Sequence, residues 1–180
     1  MPLDNEGHLV KLAQAGDGEA FSQLYEAYFD RVYRFIFFRV ADELMAEDLA
    51  SQVFLKAWEN LDHYRPRGPF LAWLYAIARN AVIDTYRTRK NIISLEEAAP
   101  IAAQDDKLDD RLQLENDVKA LKAAMQRLTQ EQQEVITLKF IAEYDTARIA
   151  KEMGKSEGAI RALQMRALQA LARAMKKNQR

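Results

Sequence analysis

The chain has 180 residues, of which 49% are hydrophobic and 29% charged, a composition typical of a soluble helical protein of one or two small domains. It contains no cysteine, which excludes disulfides, thiolate metal sites and thiol catalysis, and its two histidines give little support for a zinc site. No apolar run reaches the roughly 18 residues that a membrane helix needs, and the N-terminus lacks a signal pattern. We therefore expect a cytoplasmic protein with no membrane insertion, metal or cofactor.

Charge is distributed unevenly along the chain. Residues 1–99 and residues 100–117 each carry a net charge of −4. Residues 118–180 hold thirteen Lys or Arg against six Asp or Glu, a net charge of +7. This asymmetry indicates an acidic connector followed by a unit suited to a polyanion. The alternative is a basic helical end that is merely solvated, since basic surfaces are common.

Helical periodicity covers most of the sequence. Apolar residues recur at spacings of three and four over residues 9–86 and again over residues 112–175, which predicts an all-α protein. Asp17 and Asp42 are expected to cap helix N-termini. Two prolines and a glycine within residues 65–69 must interrupt the helical pattern.

The periodicity weakens between residues 91 and 110, where small residues, one proline and several acids occur. This composition predicts a flexible acidic linker at residues 93–117, with a short helical turn at SLEE. The linker would join two small helical domains, residues 1–92 and residues 118–180. The second domain contains TQEQ, residues 129–132, in which Thr129 and Gln132 fit a capping box.

The stretch TARIAKEMGKSEGAIRALQMRALQALAR, residues 146–173, has the spacing of a helix-turn-helix. Ala150 allows a close helix crossing, Gly154 suits the tight turn, and Ile160 fixes the second helix on the first. The rest of this small core is expected to be Ile149, Met153 and Leu163.

The second helix of this motif is predicted to begin at a Ser156 cap. Its exposed side chains can reach base edges or phosphates, and they are Glu157, Arg161, Gln164 and Arg166. A helical hairpin without DNA contact is the alternative. The basic charge and the Arg/Gln face favour DNA binding.

The stretch FLAWLYAIARNAVIDTYRTR, residues 70–89, has three helical faces. The face predicted to enter the core comprises Leu71, Leu74, Ala78, Ala81 and Thr85. A second face comprises Trp73, Asn80, Asp84 and Arg87. The third comprises Tyr75, Arg79 and Tyr86.

Aromatic rings interleaved with cations suit single-stranded nucleic acid, because bases stack on rings while phosphates meet arginine. The loop before this helix repeats the pattern with Tyr64, Arg65 and Arg67. The alternative is that Trp73 and Tyr75 pack in the core, which is the simpler interpretation of either ring alone.

Three motifs, in this order along the chain, closely resemble the extracytoplasmic-function group of bacterial RNA polymerase sigma factors. They are AEDLASQVFLKAW, RPRGPFLAWLYAIARNAVIDTYRTR and LTQEQQEVITLKFIAEYDTARIAKEMGKSEGAIRALQMRAL. The resemblance covers about residues 18–90 and 118–175. It implies an alternative sigma factor whose first domain docks on core RNA polymerase and opens the promoter at its minus-10 element. The second domain would bind the minus-35 element as duplex. Such a protein has no catalysis of its own.

The resemblance also implies site residues. The helix that meets the polymerase clamp points to Asp48, Leu49, Gln52, Val53 and Lys56. In the element that captures flipped minus-10 bases, Asn80 is expected to contact the base and Arg79 and Arg87 the phosphates. The whole set is Tyr64, Arg65, Arg67, Trp73, Arg79, Asn80, Asp84 and Arg87. The minus-35 set, in which Arg161, Met165 and Arg166 match the family's DNA-facing positions, comprises Ser156, Glu157, Arg161, Gln164, Met165 and Arg166.

The expected partners are core RNA polymerase, promoter DNA in duplex and single-stranded form, and an anti-sigma factor, which commonly holds members of this family. The linker resembles the segment that threads toward the polymerase active site and RNA exit channel. Two alternatives are a stand-alone helix-turn-helix regulator, whose N-terminal domain senses a ligand or dimerises, and a helical adaptor that binds only proteins. A ligand sensor would have no use for the Arg, Asn and aromatic surface of residues 70–89. The sequence offers no Gly-rich phosphate loop and no nucleophile–base pair of recognisable spacing, so we expect no enzyme.

Overall fold

A computed structural model describes residues 5–66, 68–93 and 110–178 of the chain. Within these ranges the regular structure is entirely helical, which confirms the predicted all-α class. The chain divides into two compact units, Met1–Ile83 and Asp84–Arg180. The predicted turn at SLEE lies outside the described residues.

The first part of the chain forms four α-helices and one short 3-10 helix. The α-helices are α1 (Glu6–Gln14), α2 (Gly18–Val40), α3 (Glu43–Glu59) and α4 (Phe70–Ile93), and the 3-10 helix is Leu61–His63. Both predicted caps are confirmed. Asp17 accepts hydrogen bonds from the backbone N–H groups of Glu19 and Ala20, and Asp42 accepts one from Met45. These carboxylates satisfy N–H groups that a helix N-terminus cannot pair internally.

The core of the first unit is formed where α2 packs on its neighbours. Leu24, Val32 and Ile36 of α2 are completely buried. The Phe35 ring lies 4.9 Å, centre to centre, from Tyr75 of α4. Arg39 is buried beside Phe35, with its guanidinium carbon 5.7 Å from the ring centre. An aromatic contact therefore contributes to the packing between α2 and α4.

The predicted core face of α4 is confirmed in its centre. Leu74, Ala78 and Ala81 are buried, whereas Leu71 and Thr85 are half-buried. Burial of Tyr75 confirms the packing alternative for that ring. The helix therefore keeps one polar side free of the core, as its periodicity predicts.

The second unit contains four further α-helices, which are α5 (Asp110–Met125), α6 (Gln130–Phe140), α7 (Thr146–Met153) and α8 (Glu157–Asn178). Helix α5 begins inside the stretch predicted as linker, so residues 110–117 are helical. The Thr129 and Gln132 capping box is present in both directions. The buried Gln133 side chain donates to the Met125 carbonyl at 2.9 Å and so satisfies a group at the end of α5.

Helices α7 and α8 form the predicted helix-turn-helix. Gly154 ends α7 in the left-handed conformation, with a φ of 63°, and the Ser156 hydroxyl accepts from the Ala159 N–H at 3.2 Å. The residues predicted to form its core are buried or, for Met153, half-buried; the buried ones are Ile149, Ala150, Ile160 and Leu163. The turn therefore depends on a backbone conformation that glycine adopts without strain.

Two glycines of this motif test that dependence. A Cβ added at Gly154 or at Gly158 would meet no atom within 4 Å, so only the backbone distinguishes them. Because an L side chain is strained at positive φ, Gly154→Ala should lower the free energy of unfolding by about 1 kcal/mol. Gly158→Ala, inside α8, should raise it by about 0.5 kcal/mol. Urea unfolding followed by circular dichroism measures both, and equal effects would contradict the assigned turn.

Helix α3 provides a second test, because it carries buried and exposed residues in alternation. Leu49 is 6% exposed, whereas Gln52, about 60° away around the helix axis, is exposed. Leu49→Ala should cost about 2–5 kcal/mol of unfolding free energy through lost burial and a cavity. Gln52→Ala should change it by less than about 0.5 kcal/mol. Thermal and urea unfolding would show the difference, and similar losses in both variants would contradict this orientation of α3.

Candidate polymerase and nucleic-acid interfaces

The exposed face of α3 carries three of the five residues predicted to meet the polymerase. Asp48, Gln52 and Lys56 are exposed at intervals of four, so they line one side of the helix. Leu49 and Val53 are 6% and 0% exposed, because they pack toward α2 in the core. This burial does not fit the prediction that Leu49 and Val53 contact the polymerase directly.

Beside this face lies an apolar groove that the sequence interpretation missed. Its volume is about 380 Å³, and its lining residues are Gly18, Phe21, Tyr25, Ser51, Phe54, Leu55 and Trp58. Leu55 is 58% exposed and Trp58 is 38% exposed. Val53 and Leu55 differ by about 200° around a helix, so both cannot face the core. The sequence VFLKAW therefore already indicated that one of these two apolar residues must be exposed.

Aromatic rings in tilted and edge-to-face contact line this apolar groove, and acidic residues lie in the cavity next to it. The Phe21 ring lies 4.8 Å from Trp58, and Tyr25 lies 4.8 Å from Phe54. A neighbouring cavity shares Trp58 and is lined by Glu59 and Asp62. An apolar floor with acidic residues at its edge suits a partner that presents apolar and basic side chains together.

The loop before α4 places Tyr64 differently from the prediction. Tyr64 is buried, its hydroxyl donates to the Gly68 carbonyl at 3.1 Å, and its ring meets Phe70 edge-on at 5.4 Å. Burial, and secondarily the Glu6 carboxylate, raise the pKa of Tyr64 above its usual value. A base cannot stack on this ring while the loop keeps its present shape, so the prediction of Tyr64 as a DNA contact is corrected to a structural role.

The other predicted residues of this loop are less enclosed. Arg65 is exposed, and its guanidinium donates to the carbonyls of Asp62 and Tyr64 at 2.8 and 3.2 Å. Trp73 is half-buried, with its ring 4.8 Å from Tyr64. Arg67 lies outside the described residues. Arg65 and the accessible part of Trp73 therefore remain candidates for contact with a nucleic acid.

A polar stripe runs along α4. Asn80, Asp84 and Arg87 are exposed at intervals of four and three residues, so they share one side of the helix. Arg79 is half-buried and stands about 100° away from Asn80. The structure thus brings Asn80, Asp84 and Arg87 together and leaves Arg79 at the margin.

The exposed face of α8 carries the predicted duplex-reading residues. Glu157, Arg161 and Arg166 are exposed, Met165 is 59% exposed, and Gln164 is half-buried. The Arg161 guanidinium pairs with the Glu157 carboxylate at 2.7 Å, one helical turn away.

The opposite side of α8 fixes that face. Ile160, Leu163 and Ala167 are buried, so the arginines must point outward. Ser156, at the start of the helix, is exposed but uses its hydroxyl as the cap described above.

The described part of the chain contains no group of three or more His, Asp or Glu that could hold a metal ion. Among its helices, none is both long and apolar enough to cross a membrane.

Comparison with known families finds two matches along the chain. A family model for sigma-70 region 2 matches residues 24–92, and one for sigma-70 region 4 matches residues 119–171. The chain is 40% identical over 168 residues to the ECF RNA polymerase sigma factor BldN of Streptomyces coelicolor. That match covers 92% of this chain and 64% of the relative's length.

The match to a second relative covers more of that relative's length. The chain is 30% identical over 163 residues to the ECF RNA polymerase sigma factor SigX of Bacillus subtilis, which covers 87% of this chain and 84% of SigX. Among solved structures, CnrH in complex with the cytosolic domain of CnrY matches with a TM-score of 0.68 and 25% identity, covering 97% of this chain and 99% of CnrH. The chain therefore belongs to the ECF group of RNA polymerase sigma factors.

Proposed function

We propose that this chain is an alternative sigma factor that binds core RNA polymerase and directs transcription from specific promoters. The observation that carries the proposal is the exposed stripe of Asn80, Asp84 and Arg87 on α4 in a chain that also has a helix-turn-helix. A stand-alone regulator would need only the second surface. Family membership supports the same choice.

The α4 stripe is suited to unpaired bases of the minus-10 element. Asn80 offers an amide that can pair with a base edge, and Arg87 offers a charge for a nearby phosphate. The exposed Arg65 and the half-buried Trp73 stand before this stripe and would receive the strand. Extruding a base costs a few kcal/mol, so the surface must provide compensating contacts.

The α8 face is suited to duplex DNA of the minus-35 element. A helix of this kind enters the major groove with its N-terminal part toward base edges. Arg161 and Arg166 can contact guanine or phosphate, and Met165 adds an apolar contact. The net charge of +7 over residues 118–180 supports approach to DNA.

The polymerase would dock on the apolar groove of α2 and α3. Leu55 and Trp58 supply exposed apolar area, while Asp48, Gln52 and Lys56 supply the polar side. Interfaces of this type derive most of their affinity from a few well-packed apolar or aromatic residues. We therefore assign docking to this composite surface, and Leu49 and Val53 support it from below.

A protein inhibitor is a further expected partner. CnrH, the structural relative described above, was solved with the cytosolic domain of CnrY. Another relative, RpoE of Bartonella quintana, was solved with the anti-sigma factor NepR and has a TM-score of 0.68 at 24% identity. We propose that an anti-sigma factor also binds this chain, which would act in the cytoplasm where its polymerase is found.

The docking assignment predicts that polymerase binding and promoter recognition fail together. Leu55→Glu places a charge in the apolar groove and should weaken binding to core polymerase by about 2 kcal/mol or more. Leu44→Glu is the matched control, because Leu44 is also an exposed leucine of α3 but lies outside the groove. Binding of each variant to core polymerase immobilised on a sensor surface measures the two affinities, and circular dichroism measures helical content as a check on folding.

The same preparation tests the whole proposal. Wild-type protein with core polymerase should transcribe selected sequences from a library of genomic DNA, whereas free protein should bind those sequences weakly. Tight, specific DNA binding by the free chain would favour the stand-alone regulator. Equal binding of polymerase by Leu55→Glu and wild type would reject the docking surface.

The two DNA surfaces should act at different steps. Asn80→Ala should leave closed-complex formation nearly unchanged and impair opening, because its hydrogen bonds reach only an unpaired base. Arg161→Ala should weaken the first encounter by roughly 1–3 kcal/mol if it makes a bidentate base contact. Gel shift measures encounter and permanganate footprinting measures opening, on one promoter.

A promoter bubble that is melted in advance should rescue Asn80→Ala only partly, since capture still requires the amide. The Arg161→Ala variant should still bind the same template weakly, because the bubble does not change recognition of the duplex minus-35 element. Failure of both variants at the same step would overturn this division of labour.

A further inference from the structure

The segment that leads from α3 into α4 has a composition that gives it few backbone hydrogen bonds of its own. This recognition loop, residues 61–70, contains Pro66, Gly68 and Pro69. Proline has no N–H to donate, and glycine adds backbone freedom. In the described part of the loop the internal hydrogen bonds are short-range, such as Tyr64 N–H to the Leu61 carbonyl at 3.0 Å and the Tyr64 hydroxyl to Gly68, and the Tyr64 ring packs on Phe70 and Trp73. A loop of this composition needs partners from elsewhere to be ordered.

Helix α1 supplies one such partner at the beginning of the loop. The Gln14 side-chain amide donates to the carbonyls of Leu61 and Tyr64 at 2.9 and 3.0 Å. These contacts span 47 and 50 residues of sequence. Both amide hydrogens of Gln14 are engaged, so the side chain fixes two loop carbonyls relative to each other.

The same helix supplies a partner at the end of the loop. The backbone N–H of Phe70, the first residue of α4, donates to the Glu6 carboxylate at 3.1 Å. Pro69, which precedes it, has no side-chain oxygen that could cap the helix. Glu6 is therefore a cap supplied from 64 residues away, and its charge also suits the positive end of the helix dipole.

Both partners are themselves fixed in position. The second Glu6 oxygen accepts a hydrogen bond from the Tyr28 hydroxyl of α2. Leu9, Val10 and Ala13, between Glu6 and Gln14, are buried in the first unit. Glu6 and Gln14 are eight residues apart, which places their backbone positions about 12 Å apart along α1. One rigid helix thus holds the two ends of the recognition loop.

We propose that α1 is a brace for strand capture, with Glu6 and Gln14 as positioning residues that keep the recognition loop in the shape that receives unpaired DNA. The proposal rests on the minus-10 role assigned to this loop and α4 above. Both residues precede the family match at residues 24–92. A loop that is ordered before DNA arrives loses little conformational entropy on capture, so more of the contact energy serves to hold the extruded base.

The sharpest test replaces Gln14 by glutamate. Gln14→Glu is nearly isosteric but turns the donor into an acceptor that faces two carbonyls. Full-length protein with core polymerase should then open a promoter selected from the genomic library about tenfold more slowly. Affinity for core polymerase and closed-complex formation should stay at the wild-type level. Amide hydrogen exchange should accelerate in residues 61–70 and remain slow in α2 and α3.

Two further variants keep the test decisive if Gln14→Glu folds poorly. Glu6→Gln keeps an oxygen for the Phe70 N–H and should retain most of the opening rate, whereas Glu6→Ala removes the cap and should lose it. Lys11→Gln is the control on α1, because Lys11 is exposed and the change in charge equals that of Gln14→Glu. It should open the promoter at the wild-type rate.

The outcomes separate this inference from the proposed function. If wild-type protein with core polymerase opens no promoter, the sigma-factor role itself fails. If wild type opens the promoter and Gln14→Glu does so equally fast, α1 is not a brace. A parallel loss of polymerase binding, closed complex and opening in Glu6→Ala, without recovery in Glu6→Gln, would show a purely structural helix and would also overturn the proposal.

Discussion

The structure depends on a geometric constraint of the α-helix, which can bury only part of its circumference in a small domain. In α3 the buried side includes Leu49 and Val53, and the remaining side must therefore present Leu55 and Trp58. In α8 the burial of Ile160 and Leu163 turns Arg161 and Arg166 outward. Core packing and the exposed surfaces are thus two consequences of the same helical periodicity.

Helix termini impose a second requirement that reaches further along the chain. Most N-termini in the described residues are capped locally by a side chain such as Asp17, Asp42 or Ser156. Helix α4 differs, because Pro69 precedes it and a distant glutamate accepts from its first N–H. The local chemistry of a loop that combines proline and glycine therefore makes this part of the fold dependent on α1.

Sequence patterns predicted the elements whose causes are local. The Thr129 capping box, the Gly154 turn and the core face around Leu74 follow from spacings of a few residues and are confirmed. Site residues were harder, because their exposure depends on tertiary partners. Tyr64 was expected to face DNA but is enclosed by Phe70 and Trp73. The sequence RPRGPF does not predict the hydrogen bonds from Gln14, because a contact between residues 47 positions apart depends on tertiary structure and not on local sequence.

The ion pair between Glu157 and Arg161 has a consequence for ionic strength. A cation that binds a phosphate normally displaces counterions from DNA, and this release makes affinity fall steeply with salt. Arg161 already pairs with Glu157, so its transfer to DNA exchanges one ion pair for another and leaves Glu157 beside the polyanion. The second unit carries a formal excess of seven positive charges over residues 118–180. That excess already counts Glu157 among the six acids, so the ion pair does not reduce it further. The ion pair instead means that Arg161 displaces fewer counterions from DNA than an unpaired arginine would, which makes the contribution of Arg161 to affinity less dependent on salt.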